Sequence, residues 1–354
     1  MKIPAVDIQS WKNLYQAAAA FHALHPWELF EDSEIFGVKD PVSGEIGYCC
    51  VLGALGEVFA LCMYRGSEGL ALHRKMQEGK IDPAIDDVFA MQNVLMSEFC
   101  DRKDLEKEDL AVIKQLEFKI SKSPYAPAYP CFRNYTPGFA PWFISEEEAQ
   151  WLTFALRCAA DLTEAVEEDE TVLEPERSGH CLIYFPRDNG ASELSWTRKW
   201  HLPELPKEPT LPEMPVDELR LRKIQKRPLR RDTPWEMDVF YLPGGVIQDR
   251  DRPYYSRCVM VAHRQSGFIF HVDMLSPEQN TFSSLRRVFL EAIEKHGLFP
   301  DELHVRDELT WETLKPLAEK IGCRLRLTRN LPAIFEAKEA LNQQMRRGFG
   351  GGDG

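Results

Sequence analysis

Few side chains in this sequence of 354 residues are of types and spacings that do chemistry. His263 and His271 fall on two segments that read as paired strands, Arg257–His263 and Phe268–Met274, joined by the turn RQSG. Two imidazoles facing one another could bind a transition metal; the plainer reading is a pair of core or surface histidines. Arg65, with the amides of Gly66–Gly69 at a helix start, could hold an anion, but Glu68 opposes it. Gly53 and Gly56 precede a strand rather than a helix and form no phosphate cradle. The nucleophile elbow G-x-S-x-G, the zinc motif H-E-x-x-H and the P-loop are all missing. The nine cysteines are odd in number, scattered and without C-x-x-C spacing, which predicts buried thiols rather than a disulfide framework or a zinc ribbon. No cofactor is expected.

Charge bounds the partners. The formal net charge is -13. Residues 1–200 carry 19 basic and 33 acidic side chains, and the remainder carries 24 and 23. So uneven a division predicts two units with separate surfaces. An acidic N-terminal half repels nucleic acid and anionic membranes. A basic run, Arg220, Arg222, Lys223, Lys226, Arg227, Arg230 and Arg231, suggests phosphate contact on its own, yet residues 164–176 hold an opposite run of seven acids. The two runs could pair, or each could be solvated, and nucleic-acid binding is not expected. The first ten residues, MKIPAVDIQS, have no apolar segment, and the stretch from Val51 to Tyr64 is too short and too interrupted to span a bilayer. With unpaired cysteines, this predicts a cytoplasmic protein without a membrane partner.

The elements that must position these residues read as α+β. Ser10 can cap a helix with Trp11, Leu14, Tyr15, Ala18 and Phe21 on one face. Ile46–Leu52 and Val58–Tyr64 flank GALG as a hairpin. Residues 121–142 contain five prolines and six aromatics, which predicts a loop pinned by its rings. Ser145 and Glu148 form a capping box before a long helix. Pro203, Pro206, Pro209, Pro212 and Pro215 recur every third residue, the period of a polyproline II rod. That rod is expected to be a stiff linker and could also dock on a protein partner. Beyond it, a strand over Asp238–Leu242, the strand pair, a helix over Ser284–His296, a strand over Glu302–Val305, a helix ending at Ile321, a strand and a final helix follow. Pro316 predicts that the helix before Gly322 starts near Thr313 or kinks. The expected domains are 1–202, a linker over 203–232, 233–346, and a disordered tail over 347–354.

Two resemblances add to this. The block PWELFEDSEIFGVKDPVSGEIGYCCVLGALGEVFALCMYRGSEGL, Pro26 to Leu70, resembles a family of uncharacterised, mainly bacterial domains, and the C-terminal unit looks like its uncharacterised companion. The order hairpin, helix, strand, helix, strand is similar to the ribonuclease H-like fold of integrases and transposases. Such enzymes hold two metals with acids on the first strand, after a later strand and on a helix. On that resemblance the first strand is RCVMVAHRQ, where Ala262 or His263 replaces the first acid. Asp307 occupies the second place, and Glu336 and Glu339 are candidates for the third. The plain reading of Asp307 is a helix cap or a solvated loop acid. With the first acid missing, the expectation is a non-catalytic binding or regulatory protein. Its rival is a metal-dependent nucleic-acid-processing enzyme using Asp307, His263 and His271.

Overall fold

The computed structural model describes residues 5–81, 88–119, 127–175, 177–187, 195–206, 217–228, 230–249 and 251–349. The chain divides into two units. The first takes Met1–Asp82, Met91–Pro137 and Pro141–Lys207, and the second Pro83–Ala90, Gly138–Ala140 and Glu208–Gly354. Both mix helix and sheet, and the protein is α+β.

The first unit is built on a seven-stranded sheet. Its elements in chain order are α1 (Ile8–Ala23), β1 (Phe36–Lys39), β2 (Ile46–Leu52), β3 (Phe59–Arg65), α2 (Gly66–Gln77), only the last residue of α3 (Val88–Met91), β4 (Val94–Cys100), α4 (Lys107–Gln115), β5 (Tyr129–Tyr135), α5 (Glu146–Glu168), β6 (Cys181–Arg187) and β7 (Ser195–His201). The strand order is β5-β4-β3-β2-β1-β6-β7. Helices α1 and α5 cover one face, where Leu14, Phe21, Leu152 and Leu156 meet Cys49, Val51, Leu61 and Met63. The alternate residues Tyr48, Cys50, Cys62 and Tyr64 pack with Leu70 of α2 on the other face. Burial on both faces explains why β2 and β3 read as unbroken apolar runs rather than alternating ones. Gly53 turns the β2–β3 hairpin with φ +144, where a Cβ would meet Trp27 at 2.6 Å.

Two expectations for this unit are corrected. Asp7, not Ser10, caps α1, accepting from the Gln9 amide at 2.8 Å. Ser10 lies inside the helix and donates to Glu146. Within the segment predicted as loop, residues 129–135 form β5, which tolerates Pro130 because it is the edge strand and one side needs no donors. All nine cysteines are buried and unbridged.

The second unit holds α6 (Glu218–Gln225), β8 (Arg230–Asp232), β9 (Trp235–Ile247), β10 (Tyr254–His263), β11 (Ile269–Leu275), α7 (Thr281–His296), β12 (Leu298–Pro300), β13 (Glu302–Val305), α8 (Glu308–Ile321), β14 (Arg324–Leu327) and α9 (Pro332–Phe349). Its five-stranded sheet has the order β11-β10-β9-β13-β14. Strands β9, β10 and β11 form an antiparallel meander, and β13 runs parallel to β9 and β14. Helices α7 and α8 bury one face against Trp235, Met237, Val259 and Val261. Helix α9 covers the other, where Leu331 and Ile334 meet Phe240, Met260 and Ala262.

Here too the structure revises the reading. The basic half of the expected linker is α6 and β8. Leu221 and Ile224 enter the core, and β8 pairs with β12. Of the prolines in the rod, Pro209, Pro212 and Pro215 lie outside the described residues. Strand β9 is 13 residues long and extends beyond Asp238–Leu242 at both ends. Helix α8 starts at Glu308 with Pro316 inside it, and its preceding turn takes an outside donor, Arg286 Nε to the Thr313 carbonyl at 2.9 Å. Helix α9 continues to Phe349, because a single Gly348 costs about 1 kcal/mol and does not by itself end a helix. The rest of the tail, from Gly350, lies outside the described residues. No helix among them is long and apolar enough to cross a membrane.

Candidate functional site

The period of two along β9 sorts its side chains. Trp235 and Met237 turn toward α7 and α8, while Glu236, Asp238 and Phe240 turn toward α9. Two acids therefore enter a covered sheet face from its central strand, and each needs partners there. Glu236 is fully buried. It accepts the Ile334 amide of the first turn of α9 at 3.1 Å and Arg264 Nη1 at 2.6 Å. Burial raises its carboxyl above the usual range, while the α9 amides and Arg264 pull against that. In effect a sheet residue caps the helix.

Asp238 is 2% exposed. Its Oδ1 accepts the Val239 amide at 2.9 Å, and its Oδ2 lies 3.1 Å from Arg306 Nε. Burial pushes its carboxyl up to about 6; Arg306 and Lys338 oppose this, and the negative charge of Asp307 adds to it. Beside Asp238 lies a cavity of about 290 Å³ lined in part by Arg306, Arg329, Phe335, Glu336 and Lys338. Arg306 leaves the end of β13, Arg329 follows β14, and the other three come from α9. The cavity thus stands at the ends of β13, which neighbours β9, and of β14 beyond it.

The residues singled out from sequence are dispersed. Asp307 is the N-cap of α8. One oxygen accepts the Thr310 amide at 2.9 Å and the other the Thr310 hydroxyl at 2.6 Å. His263 and His271 do not face one another, because Val261 is the residue opposite His271 and a bulge follows. His263 Nε2 meets Thr233 Oγ1 at 2.7 Å, and its Nδ1 accepts the Ser266 amide at 3.0 Å. His271 pairs with Glu291 at 3.2 Å. Glu336 reaches the cavity; Glu339 is exposed farther along α9. Among the described residues no three His, Cys, Asp or Glu side chains are grouped to hold a metal ion. Arg65 is no anion site, since its guanidinium serves Glu148, Asn93 and the Tyr135 carbonyl. In the basic run, Arg220 pairs with Glu294 and Arg231 with Asp301.

Sequence reasoning missed Glu236, Asp238 and Arg306. The signal was present in W-E-M-D-V, acids alternating with large apolar residues. A strand read from Asp238 onward leaves Glu236 outside it, and the ribonuclease H-like resemblance puts the first acid on Arg257–His263 instead. That strand is β10, so Ala262 and His263 lie one strand away from the acids.

Residues 11–184 match the family model of a domain of unknown function, DUF7309. Residues 220–342 match that of a second domain of unknown function, DUF6930. The two stand in N-to-C order, as the resemblance to an uncharacterised domain and its companion implied. No curated protein matches the chain. A solved chain in the cryo-EM structure of a simian T-cell lymphotropic virus intasome in complex with PP2A regulatory subunit B56 gamma is similar at 12% identity and a TM-score of 0.26. That similarity covers 36% of this chain and 45% of the other, and it carries no argument about fold or activity.

Proposed function

We propose that this protein is a non-catalytic binding or regulatory protein whose C-terminal unit uses a ribonuclease H-like arrangement as a scaffold. The strand order β11-β10-β9-β13-β14, with an acid on the central strand, supports the scaffold. One observation carries the rest: the two acids nearest a catalytic arrangement are already engaged. Asp238 is paired with Arg306, and Asp307 spends both oxygens on Thr310. Two-metal hydrolysis needs several carboxylates converging on ions roughly 3.5–4 Å apart. A guanidinium in that place supplies positive charge but cannot activate water as a metal does. The rival enzyme would have to release both acids from these partners.

The test is incubation of the protein with DNA, RNA and hybrid duplexes in magnesium or manganese. No cleavage above background is expected. Cleavage that disappears in Asp238→Asn would overturn the reading in favour of the enzyme.

A further inference from the structure

We infer that the cavity beside Asp238 binds a small phosphate monoester with a flat apolar body, of the size of a nucleoside monophosphate. The inference rests on the reading above only in that the ligand is bound and not turned over.

Charge selects the anion. Arg306, Arg329 and Lys338 line the cavity against two acids, Asp238 and Glu336. Asp238 is the more deeply buried acid and is matched by Arg306. Among the described residues Arg329 makes no ion pair, and it is an exposed member of the cavity lining. The planar fork of an unpaired guanidinium suits a phosphate, because two parallel N–H bonds can reach two of its oxygens at once.

The segment that carries Arg329 is held in place. The Thr328 amide donates to the Val305 carbonyl at 2.9 Å, and the Asn330 carbonyl accepts Arg264 Nη1 at 2.9 Å. The Asn330 amide donates to Thr328 Oγ1 at 3.2 Å. Anchors on both sides of Arg329 fix its backbone, so binding orders only its side chain. Phe335, which is 48% exposed, also lines the cavity and offers ring surface to a flat body. A volume of about 290 Å³ admits a mononucleotide-sized molecule and no duplex.

Calorimetric titration of the full chain with adenosine monophosphate, adenosine and inorganic phosphate tests this. The monophosphate is expected to bind more tightly than either fragment. Arg329→Ala should weaken it about tenfold or more, and Arg329→Glu should weaken it further, while weak adenosine binding stays unchanged. Arg329 is exposed, so both variants keep the fold, which circular dichroism checks. Phe335→Ala should lower affinity for adenosine and leave that for phosphate. The inference is overturned if no phosphate-bearing probe binds, if adenosine binds as tightly as its monophosphate, or if Arg329→Glu leaves the affinity unchanged. Failure here without nuclease activity removes this inference alone, whereas Asp238-dependent cleavage removes the functional reading and leaves the affinities to be judged separately.

Discussion

The two units bury the same kinds of ion pair and finish them differently. In the N-terminal unit, Arg133 clamps Asp109 with two parallel bonds, Nη1 to Oδ1 at 2.9 Å and Nη2 to Oδ2 at 2.6 Å. Arg65 meets Glu148 at 3.0 Å while Glu148 also accepts the Ser145 amide at 2.8 Å. These pairs are closed, and their atoms are used up in holding the first turns of α4 and α5 to strands. In the C-terminal unit, Glu236 is closed in the same way by Arg264 and α9. Asp238 meets Arg306 Nε at 3.1 Å and borders a cavity. The difference separates structural charge from charge that a ligand can reach. A buried pair stabilises only when geometry and hydrogen bonds are complete; a pair that lines a cavity is the one a ligand can compete for.

The comparison breaks most readily at its closed end. Asp109→Ala strands the Arg133 guanidinium and should cost about 3–5 kcal/mol, read as a lower urea midpoint with an unchanged slope. A cost under about 1 kcal/mol would show that the closed pair is no more structural than the open one.

Asp238 should behave otherwise. Its carboxyl ordinarily titrates near 3.8 and is pushed up to about 6 in the fold. The protonated form is thus favoured by folding, and its contribution is complete below the unfolded value and is lost as pH rises through about 6. Stability should fall between about pH 4 and 6 by up to about 3 kcal/mol from this group. In Asp238→Asn that slope should flatten, with little net loss at pH 7. A steep loss at neutral pH in Asp238→Asn would make the pair structural after all.

Asp307→Ala should cost about 1 kcal/mol, the value of a helix cap. It should also move the Asp238 titration downward, because a repelling charge is removed. An unchanged Asp238 titration would separate the two acids and weaken the case for a shared site. At the smallest end, Glu339→Ala on the exposed face of α9 should change stability by less than about 0.5 kcal/mol and leave ligand binding unaltered.

Much of the fold was legible because it follows local rules. The bounds of β2 and β13 match their apolar runs, and the capping box at Ser145 starts α5 where expected. Gly297 and Gly322 end α7 and α8 in the left-handed conformation their positions predicted. The site was less legible. Of the two plain readings of Asp307, a cap and a solvated loop acid, the structure shows the cap, a local interaction three residues long. Asp238 and Arg306 are 68 residues apart, and nothing in either neighbourhood names the other.

What the sequence determined by itself was therefore whatever is decided within a turn or two of backbone. That includes the unbroken apolar run that buries β2 on two faces, the caps of α5, α7 and α8, the hairpin turn at Gly53 and the division of charge between the halves. Only the tertiary structure decided that β9, rather than β10, is the central strand of the second sheet, that its two acids lie under α9, and that one pair is sealed and the other opens on a cavity. Strand order is set by which surfaces pack best after the chain closes long loops, and the energy of a buried charge depends on the partners that this packing delivers. Neither quantity exists until the chain is folded.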